Sequence, residues 1–563
     1  MTRAWRDWPG GRRRVLAAAA AVAAAGGMAL AAEPAQATSL CVGGGGCYPT
    51  IQAAVNAAHD GDTITIGSGT FAGGVTITKS VHLRGAGAAA TIIRGGDHVL
   101  TIGAYGAAGE PAVSVSGVTI TGGVARSSPE SVPLFGKAGV WAAGGGIEIP
   151  PAAHLADGAA VTITDSVITG NRANPLASVP SGIPCPGGFP RGQCPFAPAW
   201  GGGIDSWGAL TLIRTAVTGN SVGGRPGTAS DADGAGIFSR EGGLTLDGSV
   251  VSGNRAVAVA PAGRFAEGAG IFAGVPDFGP GANVGHDALV VRNSVISGNV
   301  ATLTGNLPSF TGGNLLDQKA NGGGILVAAA TPAVIDDTLL TKNSVLATDL
   351  KGEPVAINAA IVVGSDSLTM DGSVVSHNRA VTEAATVADQ GAAGGALEID
   401  GGGTIRDTSI TDNYSTTVSP HGLAAVAGAL GLYADTSLLT VLDTRISGNT
   451  AVARSASGSA SVQGAGVFND GLLALADDTV GGNSGTATGP SGVAQGGGIW
   501  NGADFTGPPV RLTLQRTAVT RNSLAGSHGV TVRGAGLFSA PPASVILRNS
   551  LIRLNFPDQC SGC

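Results

Sequence analysis

The sequence predicts an all-β chain wound as a three-sided, right-handed parallel β-helix, and three observations predict it. First, an asparagine returns at Asn171, Asn220, Asn254, Asn299, Asn343, Asn378, Asn413, Asn449, Asn483, Asn522 and Asn555 in constant company. Three residues before each stands an aliphatic, from Ile168 and Val217 to Val519 and Ile552. Five before is Ser or Thr in ten of the eleven, Asp478 being the exception. Second, Gly-Gly-Gly-Ile or a close variant opens unit after unit, as at Gly144–Ile147, Gly201–Ile204, Gly234–Ile237 and Gly496–Ile499, with weaker copies at Ala359–Ile361 and Ala427–Leu430. Third, 94 glycines and few helix-forming charged residues suit strands and tight corners, not helices. A repeat in fixed register decides architecture before any local propensity does.

The unit has the length of one coil. Ile204 to Asn220 is 16 residues and, behind the Gly201–Gly203 corner, holds a Leu-x-Leu strand and a Thr-Gly-Asn strand. Three short strands with apolar residues at period two fill one turn. Inward aliphatics then stack on their copies about 4.8 Å along the axis. An inward Asn donates and accepts at once, so each pairs with the copies above and below. These asparagines are therefore expected to be structural, including Asn413, which heads a glycosylation-like Asn-Tyr-Ser.

Residues 1–37 read as an export signal: Arg12-Arg13-Arg14-Val15-Leu16, an alanine-rich apolar stretch and Ala35-Gln36-Ala37. Gly11-Arg12-Arg13-Arg14-Val15-Leu16 resembles a twin-arginine signal, and an ordinary secretory signal is the alternative. No later apolar run reaches the ~20 residues of a spanning helix. An extracellular or cell-wall location and a monomer are expected. Removing the signal leaves 26 basic against 36 acidic residues, a balance that argues against nucleic acid as partner. Six cysteines fall as Cys41/Cys47, Cys185/Cys194 and Cys560/Cys563, which in an exported chain suggests three local disulfides among the 15 connectivities open to six cysteines.

Residues 38–111 form the N-terminal cap and first coils, and 112–563 the repeat array. Ile51, Ala54, Val55 and Ala58 stand at helical spacing behind Thr50, a suitable N-cap. After Gly61 the period becomes two, through Ile64, Ile66, Val75 and Ile77. With its Gly61-Asp-Thr-Ile64 turn, the stretch 48–95 resembles the N-terminal cap of the pectin-lyase-like right-handed β-helix superfamily. The Gly-Gly-x-Ile and x-x-Asn pairing over about 140–555 resembles the repeat of the polymorphic outer-membrane protein family. That family places Phe three before the Asn and ends in a membrane β-barrel, whereas this chain has Val, Ile or Leu and shows no barrel before Cys563. Both resemblances imply the fold; the second also brings a surface adhesin or structural protein into view.

Segments between an Asn and the next Gly-Gly vary in length and all leave one corner, which predicts a fringe of loops on one side. In solenoids such insertions often mark the binding face. The signatures of pectate lyases, pectin methylesterases and polygalacturonases are missing, and the eight histidines show no metal spacing. Asp336-Asp337 and Asp477-Asp478 read as corner residues. One constellation stands out. The residue after each unit's Ile is expected to face outward, giving Glu148 and Asp205 in successive coils and then Phe238 and Phe272, with Phe468, Trp500 and Phe538 further on. The two carboxylates could hold Ca²⁺ or share a proton. The aromatics, with Trp207, could stack on sugar rings, or they shield the sheet. A basic residue beside the acids in a groove would favour catalysis. The sequence thus favours a polysaccharide-binding protein over an unrecognised lyase or hydrolase.

Overall fold

The computed structural model describes residues 37–563 except 127–141, 155–156, 176–197, 224–230, 260–264, 275–287, 306–317, 329–330, 350–353, 365–366, 385–394, 433–436 and 504–509. Thr38–Cys563 is one compact unit. Its strands, all paired in parallel, stack as a right-handed β-helix. Three sheets of 15, 14 and 14 strands wall the coil; we call them A, B and C in that order. One coil runs Ile204–Ser206 in sheet C, Ala209–Ile213 in sheet A and Ala216–Thr218 in sheet B. Ile147 pairs with Ile204, Val161 with Leu210 and Ile168 with Val217, so equivalent apolar residues stack at constant register. Those side chains fill one continuous core from Val42 to Leu537. Each fully buried aliphatic is worth roughly 1.5–3 kcal/mol. The weaker motif copies keep this register, Ile361 and Leu430 lying in sheet C.

The start is closed as the sequence predicts. Ile51–Ala57 is helical, and the Thr50 hydroxyl accepts from Ala53 N at 3.1 Å. Ile51, Ala54 and Val55 turn inward. Cys41–Cys47 and Cys560–Cys563 are disulfide-bonded; Cys185 and Cys194, like the signal at 1–36, lie outside the described residues.

The Asn corner is a ladder. Each Asn Nδ2 donates to the next Asn Oδ1 at 2.9–3.1 Å, from Asn171 to Asn220 through to Asn522 and Asn555. The same oxygen accepts the previous Asn backbone N–H, and Nδ2 also donates to the carbonyl of the inward aliphatic one coil back, as Asn220 does to Ile168. Every amide valence is used, which is why Asn recurs. The ladder does not end at Asn555: Gln559 Oε1 receives the Asn555 N–H at 3.0 Å and its Nδ2 at 3.3 Å.

A hydroxyl ladder runs beside it on the Ser/Thr column. Ser249 Oγ accepts from Thr215 N and donates to Asp247 O, and its equivalents in the column repeat this. Asp478 fills one rung with a carboxylate. Asp337 and Asp477 occupy left-handed corners at φ 46° and 63°. The corner reading thus holds for Asp337 and Asp477 but not for Asp478, which is buried in the ladder.

The predicted fringe of loops is corrected. After the Asn the chain often runs on as a strand, and a second strand returns it to the Gly-Gly corner. The outgoing strands, such as Arg255–Val259, form an 11-stranded sheet D. The returning strands, such as Phe265–Glu267, form a 6-stranded sheet E and, in later coils, a 4-stranded sheet F. Sheets D and E face each other across alanines, among them Ala199, Ala232, Ala256, Ala266 and Ala301. Small side chains let the two layers pack closely, so a coil in which both strands are described carries a thin two-layered arm.

Candidate functional site

Every second residue of sheet E points away from sheet D. Ala143 and Trp200 thereby meet Trp207, Phe238, Phe272, Leu326 and Val362, the outer face of sheet C. The arm covers the column that the sequence placed outside. Glu148 does pair with Asp205, Asp205 with Phe238 and Phe238 with Phe272. Adjacency was predicted and outward exposure was not met: Glu148 and Asp205 are each 1 % exposed. Trp207, Phe238, Phe272, Phe468 and Trp500 are buried as well, with Phe538 packed against the last two. The rings stack on one another, Phe238 on Phe272 at 4.7 Å and Phe468 on Trp500 at 4.5 Å between centroids. Sugar stacking on these faces is therefore corrected to sheet shielding.

The residue sequence reading missed is Arg240. It follows the sheet C strand Ile237–Ser239 and turns back over Asp205, Nη2 to Oδ1 3.2 Å. Its guanidinium lies 4.0 Å from the Trp200 ring centroid and 4.5 Å from those of Trp207 and Phe238. The positive charge beside Asp205 in the structure is that of Arg240. Among the described residues no three His, Cys, Asp or Glu side chains are placed to hold a metal ion. Arg240 is basic and adjacent, as a catalytic reading requires, yet a guanidinium does not give up its proton and cannot serve as base.

Acids gather on the arm side too. Asp233 pairs with Glu267 across coils, and its Oδ2 accepts from Trp200 Nε1 at 3.1 Å. Burial raises the Asp205 carboxyl above its ordinary value, and Arg240 pulls it partly back. Burial, then the neighbouring Glu267 and Asp231, hold Asp233 well above the carboxylate range. Glu267 is pushed up to about 7, by burial first and by Asp231 second. Nearer the surface, the half-exposed Tyr105 donates its hydroxyl to Glu148 Oε1 at 2.8 Å.

The outer face of sheet B is different. In residues 339–450 it carries exposed Leu339, Val374 and Arg445. At its edge, just before each ladder Asn, the backbone is left-handed. Glycine takes that corner at 219, 253, 298, 448 and 482, with φ of 62–70°. In five coils it is instead Lys342, His377, Asp412, Arg521 and Leu554, at φ 57°, 57°, 56°, 57° and 59°. A non-glycine residue pays about 1–2 kcal/mol there. Just past the ladder, Arg379 is exposed and lies over Tyr414 of the next coil, 5.4 Å from the ring centroid. Four ion pairs engage other arginines at the A–B corner: Arg214 with Asp165, Arg292 with Asp336, Arg406 with Asp371 and Arg516 with Asp477. The sequence shows these corners as the non-glycine residues preceding Asn343, Asn378, Asn413, Asn522 and Asn555.

The chain is, by this pairing and these ladders, a right-handed parallel β-helix protein. No family model matches it, and no curated protein matches it in sequence. Among solved structures it is similar to the A-module of the mannuronan C-5 epimerase AlgE6 of Azotobacter vinelandii, at 12 % identity over 89 % of this chain and 93 % of that one, with a TM-score of 0.26.

Proposed function

We propose that the chain is an exported β-helix protein, extracellular or wall-associated, that binds an extended polysaccharide along its outer surface without altering it. The observation that supports this reading is the division of the surface. Sheet C is closed by the arm, while sheet B stays open and repeats the same subsite coil after coil. A face with a translational repeat suits a ligand with one. Hydroxyls such as Thr169, Thr218, Thr341 and Thr411 line it in register beside the aliphatics. The test is affinity electrophoresis of the exported chain through gels cast with defined polysaccharides. Retardation by at least one supports binding; free migration through all of them removes it.

A second reading, a polysaccharide lyase or hydrolase, is supported by the Tyr105–Glu148 contact alone: a surface phenol held by a buried carboxylate. An assay for unsaturated products and new reducing ends on the retained polymers decides it. Turnover that is lost in Glu148→Gln supports the enzyme.

A further inference from the structure

We propose that the arm over sheet C is a proton-dependent cover: the stacked carboxyl groups of Asp233 and Glu267 hold sheet E against the aromatic column while they carry protons, and loosen it when they lose them. This goes beyond polymer binding and does not depend on it. Trp200, Asp233 and Glu267 stand at one register place in three consecutive strands of sheet E. Trp200 packs on the outer face of sheet C, so the two acids that follow it in the column enter the same seam. Paired strands lie about 4.8 Å apart, which sets the two carboxyl groups side by side. Asp233 is 2 % exposed; its Oδ2 takes the Trp200 indole N–H, and its Oδ1 is buried with no partner among the described residues. A proton on the pair supplies a donor there.

The charges around the pair do not neutralise it. Asp231 is two residues before Asp233 on the same strand, and Asp205 lies on the sheet C side with His98 beyond it. Against these two acids stand two cations: Arg240, bonded to Asp205, and Lys319, on the next strand beside Phe265. Sheet D meets sheet E through alanines and a few larger aliphatics, and that contact brings no charge. Two ionised carboxylates here would therefore repel each other in a seam with little water to screen them. Burial and the neighbouring acids keep both in the protonated form beyond the usual range, Asp233 well above it and Glu267 to about 7. Both are raised, so what they contribute to closure is complete at low pH and is lost as pH rises through about 7, Glu267 first. The contact they guard is apolar: Ala143 and Trp200 on Trp207, Phe238 and Phe272. Asp205 pairs with Phe238 in that column. Loosening this stretch of sheet E opens the column and Asp205 to solvent while the coil beneath stays folded.

Acrylamide quenching of tryptophan fluorescence from pH 5 to 9 reads the seam, because Trp200 and Trp207 are buried in it. In the wild type the quenching constant should rise at least twofold as pH passes through about 7, with the far-UV circular dichroism unchanged. Glu267→Gln and Asp233→Asn keep the side-chain size and cannot ionise. Each should be quenched at pH 9 about as weakly as the wild type is at pH 5. Asp478→Thr removes a group raised to about 7 in a later coil, away from the seam, and should keep the wild-type profile. A wild-type profile that stays flat overturns the cover. A rise that persists undiminished in both neutral variants overturns the assignment to this pair. A rise accompanied by loss of the β signal is unfolding of the coil itself and overturns the cover as well.

Discussion

Arg240 Nη2 lies 3.2 Å from Asp205 Oδ1, and the two side chains are only 2 % and 1 % exposed. The pair joins adjacent coils, and the guanidinium is sandwiched by Trp200 of the arm and Trp207 and Phe238 of the sheet C side. It therefore acts as a rivet between arm and coil. Removing one partner strands the other charge. Arg240→Ala should destabilise the chain by about 3–5 kcal/mol, whereas Arg240→Met with Asp205→Asn should recover most of that loss. Urea midpoints of the three proteins measure it; a single variant as stable as the wild type would mean that water reaches Asp205.

The Asn ladder predicts a contrast between middle and end. Asn378 Oδ1 accepts from both Asn343 N and Asn343 Nδ2, and Asn378 Nδ2 donates to Asn413 Oδ1 and Leu340 O. Asn378→Ala leaves these groups buried and unmet, at about 1–3 kcal/mol each where no water enters. Gln559 closes the ladder from an exposed position, where solvent can replace it. Gln559→Ala should then cost less than about 1 kcal/mol. Equal losses in the two variants would sink the account of a ladder satisfied from within.

How far the fold was legible follows from what repeats. Val217, Thr215 and Asn220 each hold one place in every coil, so their register and inward direction could be read from spacing. The helix behind Thr50 was legible for the same reason, since cap and apolar spacing are local signals. The arm was not. Its strands lie in segments of unequal length, and Ser221–Gly223 and Asp231–Asp233 are too short and too alanine-poor to show a period. Missing the arm reversed the meaning of Glu148 and Asp205: their adjacency came from register, but their burial comes from a strand with no fixed offset. Arg240 was invisible as a partner because only the fold brings it back over Asp205.

At the third place of the Gly-Gly-Gly-Ile corner most coils carry glycine, crowded along the axis, whereas three successive coils carry buried Ala360, Ala396 and Ala429. A Cβ on Gly236 would run into the Gly270 carbonyl and come within 2.9 Å of Asn254 Nδ2. The same meeting recurs at Gly203 with Gly236 and Asn220, and at Gly270 with Gly324 and Asn299. The second place tolerates alanine, as Ala235 and Ala269 show, both fully buried. The pairing differs where alanine stands, Ala360 N and Ile361 N both donating to Ala396 O, so Gly236→Ala, set between glycine coils, should still destabilise by about 1–3 kcal/mol, while Ala269→Gly costs about 0.5–1 kcal/mol. Thermal unfolding that ranks them the other way would refute the crowding.

Asp478 makes stability depend on pH in a way its neighbours do not. At its rung the other coils carry Ser or Thr, whose hydroxyl accepts a backbone N–H and donates to a carbonyl. Asp478 Oδ1 accepts from Thr444 N at 2.7 Å, but Oδ2 is buried with no partner among the described residues. Burial is the main reason its carboxyl is raised from 3.8 to about 7. A proton on Asp478 supplies the missing donor. The folded chain thus holds a proton that the unfolded chain releases near pH 4, so the associated stability is complete below the unfolded value. It is lost as pH rises through about 7, at about 1.4 kcal/mol per unit across that window. Asp478→Thr restores the hydroxyl and removes this dependence. The stability of the variant relative to the wild type should grow from about pH 4 to pH 7 and then level off. Asp205, Asp233 and Glu267 titrate in both proteins, so the difference isolates this one rung. Urea midpoints that run parallel for the two chains from pH 4 to 8 would show that the Asp478 carboxylate is solvated and that the rung carries no buried charge.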